Sequence, residues 1–121
     1  MADVTVKKID DFDSYGGQFF YAGKGLGVTA WGMNVAKLPA NWTDHPYHNH
    51  EKDGQEEVYV VLEGDATLKA GDKTWKLKPG LLARIGPKQK KKLTPGKNGV
   101  TFLAIGGIPG KAWKPKDRAS D

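Results

Sequence analysis

The sequence predicts an all-β protein, a sandwich or barrel of about eight short strands. Three observations carry this reading. Apolar residues alternate with a period near two rather than 3.6. Turn dipeptides recur at short intervals: Gly71-Asp72, Pro79-Gly80, Gly86-Pro87, Pro95-Gly96 and Asn98-Gly99. No segment carries a convincing amphipathic helical stripe.

The elements follow in order. Val4, Val6 and Ile9 form a short β-like opening. Ile9–Ser14 can close a single helical turn at most. Gly27–Leu38 alternates with more apolar content on one face, which predicts a long, half-buried strand. Trp31 and Met33 share a face there and are read as core. The clearest strand is Glu57–Glu63. Val58, Val60 and Leu62 share one face, and Glu57, Tyr59 and Val61 the other, so both faces require cover. Ala66–Ala70 and Lys73–Lys78 flank Gly71-Asp72, a hairpin signal. Leu81–Ile85 follows Pro79-Gly80. Val100–Ile105 makes the last strand, and the Pro- and Lys-rich tail from about residue 107 is expected to fray over the surface.

A chain of 121 residues suits one domain, with a core over about residues 28–106. The absence of Cys excludes a disulfide scaffold, a thiolate zinc site and a cysteine nucleophile. It fits a reducing cytoplasm. No apolar run reaches the length of a membrane helix, and the N-terminus lacks the apolar core of a secretory signal. A soluble cytoplasmic protein is the expectation. Ser14 and Ser120 are the only serines and no Gly-x-Ser-x-Gly occurs, which argues against a serine hydrolase. Gly23-Lys24-Gly25-Leu26-Gly27 is not read as a phosphate loop, because no helix is expected to follow it.

Charge divides unevenly along the chain. Residues 1–60 hold 5 basic and 9 acidic side chains, whereas residues 61–121 hold 14 and 5. The densest cluster is Lys88, Lys90, Lys91 and Lys92. It lacks Arg and a neighbouring aromatic, so a solvated strand and loop is favoured over nucleic-acid binding.

The chemistry concentrates in His45, His48 and His50, all 3 histidines of the chain, in His-Pro-Tyr-His-Asn-His. On an extended segment, His48 and His50 point to one side. Imidazole is the commonest nitrogen ligand for transition metals, and a nearby carboxylate completes a two-His-one-carboxylate face. Glu57 shares parity with Tyr59 and Val61. If that parity faces the interior, its buried carboxylate needs a metal or a cation beside it. The competing reading is three exposed, solvated loop histidines.

These motifs resemble those of the cupin superfamily. The first cupin motif pairs His-x-His with a Glu, then six residues and a Gly; here the residues are His48-Asn49-His50, Glu57 and Gly64. The run Glu56–Gly64 is typical of the family. The second motif has Pro-Gly, an apolar strand, a Pro and a final His; Pro79-Gly80 and Pro87 match its first parts. The resemblance covers roughly residues 28–106. It implies a jelly-roll barrel of two antiparallel sheets, a double-stranded β-helix. It implies His48, His50 and Glu57 as ligands of a divalent transition metal (Fe, Ni, Mn or Zn), and oxygenase, isomerase or related chemistry on a small organic molecule. Cupin barrels often pair, and the two-sided strand Glu57–Glu63 fits a homodimer.

The sequence departs from this pattern twice. The gap from His50 to Glu57 is longer than usual. The final His is absent, and Lys91 stands at its place. Three outcomes remain open. His48, His50 and Glu57 bind metal alone, with water or His45 filling the shell. Alternatively, the Lys91 ammonium approaches Glu57 and replaces the metal's charge, since an ammonium about 4 Å from a divalent ion repels it by several kcal/mol at an effective dielectric near 20. Or Lys91 points outward and the pocket is merely polar. In the second case the protein is a non-catalytic binding or sensor module for a small, anionic ligand.

Tyr59 is read as core in preference to a ligand contact. Trp42 and Tyr47 either rim the pocket or anchor the His loop. Gln55 is read as exposed, with a pocket donor as the alternative. Arg84 is either an anion-binding donor inside the barrel or a surface residue.

Overall fold

The structure is a computed structural model that describes residues 2–42 and 54–114. Seven strands among these form one antiparallel sheet: β1 (Ser14–Tyr15), β2 (Phe19–Phe20), β3 (Gly32–Leu38), β4 (Glu56–Ala70), β5 (Lys73–Leu77), β6 (Leu82–Ile85) and β7 (Lys92–Gly107). Their order is β1-β2-β3-β7-β4-β5, with β6 also on β4. The all-β architecture read from the sequence is present.

Two long strands organise the sheet. β4 pairs with β7 over most of its length, its first half taking β6 on the other edge and its second half β5. The separate strands expected over Glu57–Glu63 and Ala66–Ala70 are thus one bent strand. The ladder shifts register between Val61 and Glu63 and again between Gly64 and Ala66. These bulges bend the strand and exchange the parity that faces inward. Before them Tyr59 and Val61 are buried; after them Ala66 and Leu68 are. Likewise, Pro95-Gly96 and Asn98-Gly99 do not separate two strands but lie within β7, where its pairing to β4 jumps from Pro95 to Val100.

The bend folds the two halves over one core. Ala36 and Leu38 from β3, Tyr59 and Val61 from the first half of β4, and Val100 and Phe102 from β7 pack with Leu68, Leu77 and Leu93 from the other half. A second core lies on the reverse face. There Phe12, Phe20, Ala22 and Val35 pack with Met33 and Leu103, so the N-terminal segment covers the outside of β3 and β7. Lys37 secures it through an ion pair to Asp10 at 2.6 Å, and Lys7 donates to the Gly25 carbonyl at 2.9 Å.

Several sequence expectations are corrected. Val4 and Val6 are exposed and form no strand. Alternation makes a strand only where a sheet edge accepts it, and none does so among the described residues. The strand expected from Gly27 starts at Gly32. Just before it, Ala22–Leu26 forms a short helix, α1, ended by Gly27 in the left-handed conformation with its N–H on the Gly23 and Lys24 carbonyls. Helix propensity does not announce a segment with two internal glycines; burial of Ala22 and contact with β3 hold it. Trp31 precedes β3 and is exposed, whereas Met33 packs in the second core. The tail does not leave the fold at once, because Trp113 lies over Gly32. No helix among the described residues is long and apolar enough to cross a membrane.

The crossing of β4 and β7 depends on a close backbone approach. Gly64 has φ 75°, and a Cβ there would sit 2.2 Å from the Gly99 carbonyl oxygen. Gly71, in the β4–β5 turn, also has positive φ (61°) but open space around it. Gly64→Ala should therefore cost about 2–4 kcal/mol, and Gly71→Ala about 1 kcal/mol. Urea denaturation of both variants checks this; equal losses would show that the carbonyl contact does not matter.

Candidate functional site

The candidate site is built from the inward parity of β4 and the residue that leads into β7. Glu57 pairs across the sheet with Ile85 and Gly106, and Tyr59 with Ala83 and Ala104. Ile85 and Tyr59 are buried, so this face of β4 points into the core. The alternation that makes Glu57–Val61 a good strand thereby delivers a carboxylate to the interior.

Lys91 answers that charge. It is fully buried, and its Nζ donates to Glu57 Oε1. The side chains are 1% and 12% exposed, respectively, so the pair lies almost wholly out of water. Strand alternation explains why this one member of the lysine cluster turns inward. Lys91, Leu93 and Pro95 are buried, whereas Lys88 and Lys90 face solvent and Lys92 is half-buried. The cluster is therefore not uniformly solvated, as its composition suggests.

Tyr59 completes the group. Its ring is buried against Phe102, with centroids 5.0 Å apart. Burial raises its phenol well above the ordinary tyrosine range; the Glu57 charge and the hydrogen bond to Glu57 raise it further. The hydroxyl accordingly stays protonated and donates to the carboxylate. Tyr59 is core, as read, and a polar partner of Glu57 as well. No buried side-chain nitrogen or oxygen lacks a hydrogen-bond partner among the described residues.

The other candidates divide. Arg84 pairs with Val58 across the ladder, on the face opposite to Glu57 and Tyr59. It binds Glu56 and is 65% exposed, which makes it a surface residue. Gln55 is buried, contrary to the sequence reading, with its Oε1 close against Gly106. Its polarity suggested exposure, and only the folding of β4 onto β7 encloses it. Trp42 packs edge-on to Phe19 at 5.9 Å and is partly buried against the core, as an anchor would be. His45, His48, His50 and Tyr47 lie outside the described residues. Among the described residues, no three His, Asp or Glu side chains gather as a metal would need. Glu57, the one described member of the expected ligand set, already has an ammonium on its carboxylate.

Removal of one member of such a pair leaves the other charge buried and uncompensated. Lys91→Met should cost about 3–5 kcal/mol. Combining it with Glu57→Gln should restore most of the loss, as read by urea denaturation. A double variant no more stable than the single would show that the pair is not the source of the effect.

No protein-family model matches the sequence, and no curated protein does. Solved structures match its fold. A cupin protein from Bacteroides fragilis superposes with a TM-score of 0.71 at 20% identity, over 100% of this chain and 99% of that one. A putative sugar phosphate isomerase from Acidithiobacillus ferrooxidans gives 0.63 at 21% identity, over 73% of this chain and 56% of the isomerase. DMSP lyase from Ruegeria pomeroyi gives 0.58 at 22% identity, over 69% of this chain and 42% of the lyase. Likeness at these identities is likeness of fold. With its bent antiparallel strands wrapped about a single inner core, this chain has the fold of the cupin superfamily.

Proposed function

We propose that this protein is a single-domain cupin that binds a small organic molecule, with Lys91 in place of a metal ion as the cation of its interior. The observation that carries this reading is the buried ion pair between Lys91 and Glu57. In a cupin fold the interior is the natural place for a ligand, and an interior carboxylate needs a positive partner. Here that partner belongs to the chain. The ammonium gives Glu57 its counter-charge and repels a divalent ion that would approach the same oxygen. Tyr59 holds the second polar contact to Glu57. Together these side chains offer hydrogen-bonding groups to an uncharged or anionic ligand and supply no Lewis acid. The barrel-fold neighbours named as an isomerase and a lyase support small-molecule chemistry or binding in this architecture. The absence of Cys agrees with a cytoplasmic setting.

A second reading retains the metal, held by His48, His50 and Glu57 with His45 in reserve. Its support is the position of Glu57, inward-facing at the head of β4 and soon after the histidines in sequence. Metal content separates the two. Protein purified without tag or chelator should hold well under one equivalent of Fe, Ni, Mn or Zn by mass spectrometry, and Lys91→His should raise that content. A full equivalent in the unaltered protein, lost in the His48→Ala/His50→Ala variant, would overturn the Lys91 reading in favour of the metal.

We also infer a homodimer through the outer face of β4 and β6. Val58 and Val60 lie on that face, Leu62 is 47% exposed and Leu82 70%. The row Leu82–Val60–Leu103–Val35 runs across four strands. The N-terminal segment covers its β3–β7 end, so a second copy is the natural cover for the rest. Light scattering at micromolar concentration should give a dimer mass, and Leu82→Glu should give a monomer with an unchanged circular dichroism spectrum. A monomeric parent protein would remove this interface.

A further inference from the structure

The groove between β5 and β6 is lined by none of Glu57, Tyr59 and Lys91, although Ile85 and Ala83, the ladder neighbours of Glu57 and Tyr59, border it. Both strands hydrogen-bond only to β4 among the described residues, one on each half of it. Their facing edges leave an opening of about 730 Å³, within the size range of small-molecule sites. Its apolar lining combines the buried Leu68, Leu77 and Ile85 with Leu81 and Trp75, which are 43% and 47% exposed. Trp75 is opposite Leu68 in the ladder, so its ring stands on the inner, groove side of β5. A half-exposed indole beside a buried aliphatic surface offers a flat wall to a planar group.

Among the described residues the charge lining the groove has one sign: Lys73, Lys76 and Arg84 line it, and no Asp or Glu does. Arg84 is already paired with Glu56, and Lys76 lies 3.7 Å from Asp65. Lys73 has no carboxylate partner among the described residues. It shares parity with Trp75 and so stands on the same side of β5. An apolar wall with a cation two residues away matches a ligand with an apolar body and one acidic group. The edges are five and four residues long, and β5 carries two lysines. Short, charged edges disfavour addition of a peptide strand.

We propose that the β5–β6 groove is a binding site for small aromatic carboxylates, with Trp75 stacking on the ring and Lys73 pairing with the carboxylate. The site is separate from Glu57, Tyr59 and Lys91 and stands whether or not those residues bind a ligand.

The test uses the full chain and 2-naphthoate, with 2-naphthalenemethanol as the uncharged counterpart. Calorimetry should give one site per chain for the acid and binding several-fold weaker for the alcohol. Trp75→Leu keeps an apolar residue on the strand and should weaken the acid about tenfold, the scale of one aromatic contact. Lys73→Met should weaken it about three- to fivefold, the scale of an exposed ion pair, and leave the alcohol unchanged. Tyr59→Phe should change neither. In nitrogen-edited spectra, the indole signal lost in Trp75→Leu should be the tryptophan signal that 2-naphthoate moves most. Equal binding of acid and alcohol, no binding at millimolar concentration, or loss on Tyr59→Phe with none on Trp75→Leu would each overturn the proposal.

Discussion

A fully buried ammonium must find its counter-charge inside the protein, and Lys91 finds it on Glu57. Much of the interior is arranged around that requirement. Desolvation of two charges is costly, and their attraction offsets it only where geometry and further hydrogen bonds are right. Tyr59 supplies one such bond from the same face of β4. The pair links the head of β4 to the residue before β7, 34 positions along the chain. It thus ties the inward parity of one long strand to the inward parity of the other. The pair is almost wholly out of water, its side chains 1% and 12% exposed, so solvent screens it little.

On the reading proposed above, the same pair turns this barrel from the chemistry that its motifs suggest. A carboxylate held by an ammonium is a poorer ligand than a free one, and the ammonium repels a second cation. Lys91, where the family resemblance implies a His, sets the electrostatics of the interior through its pair with Glu57. Fold and activity are separable in this way because the sheet needs only alternation, while the chemistry needs particular atoms.

The outer surfaces show how a two-sided sheet is managed. The N-terminal segment, α1 and Phe12 cover the back of β3 and β7, and the cover stops short of β4 and β6. The β5 and β6 edges meet across a groove instead of a ladder. These features leave two surfaces with different characters. One is the outer face of β4 and β6, where Leu62 and Leu82 are exposed beside the Arg84–Glu56 pair. The other is a narrower cleft with an indole wall and a basic rim.

Much of this was legible in the sequence. Alternation and turn dipeptides predict an all-β sandwich or barrel, and parity places Glu57, Tyr59 and Val61 on one face, because side chains on a strand alternate whatever surrounds them; parity alone leaves open which of the two apolar faces turns inward. The choice of Lys91 among four clustered lysines was not legible by composition; parity with Leu93 was its only local signal. Tertiary structure decided the rest. Glu57–Glu63 and Ala66–Ala70 join into one strand because Gly64 meets Gly99 across the sheet. Arg84 faces outward because β6 pairs in register with β4, and Gln55 is enclosed by β7. Each depends on contacts between residues far apart in the chain, which a local pattern does not encode. Periodicity fixes which side chains share a face, but only the pairing of strands decides what that face meets.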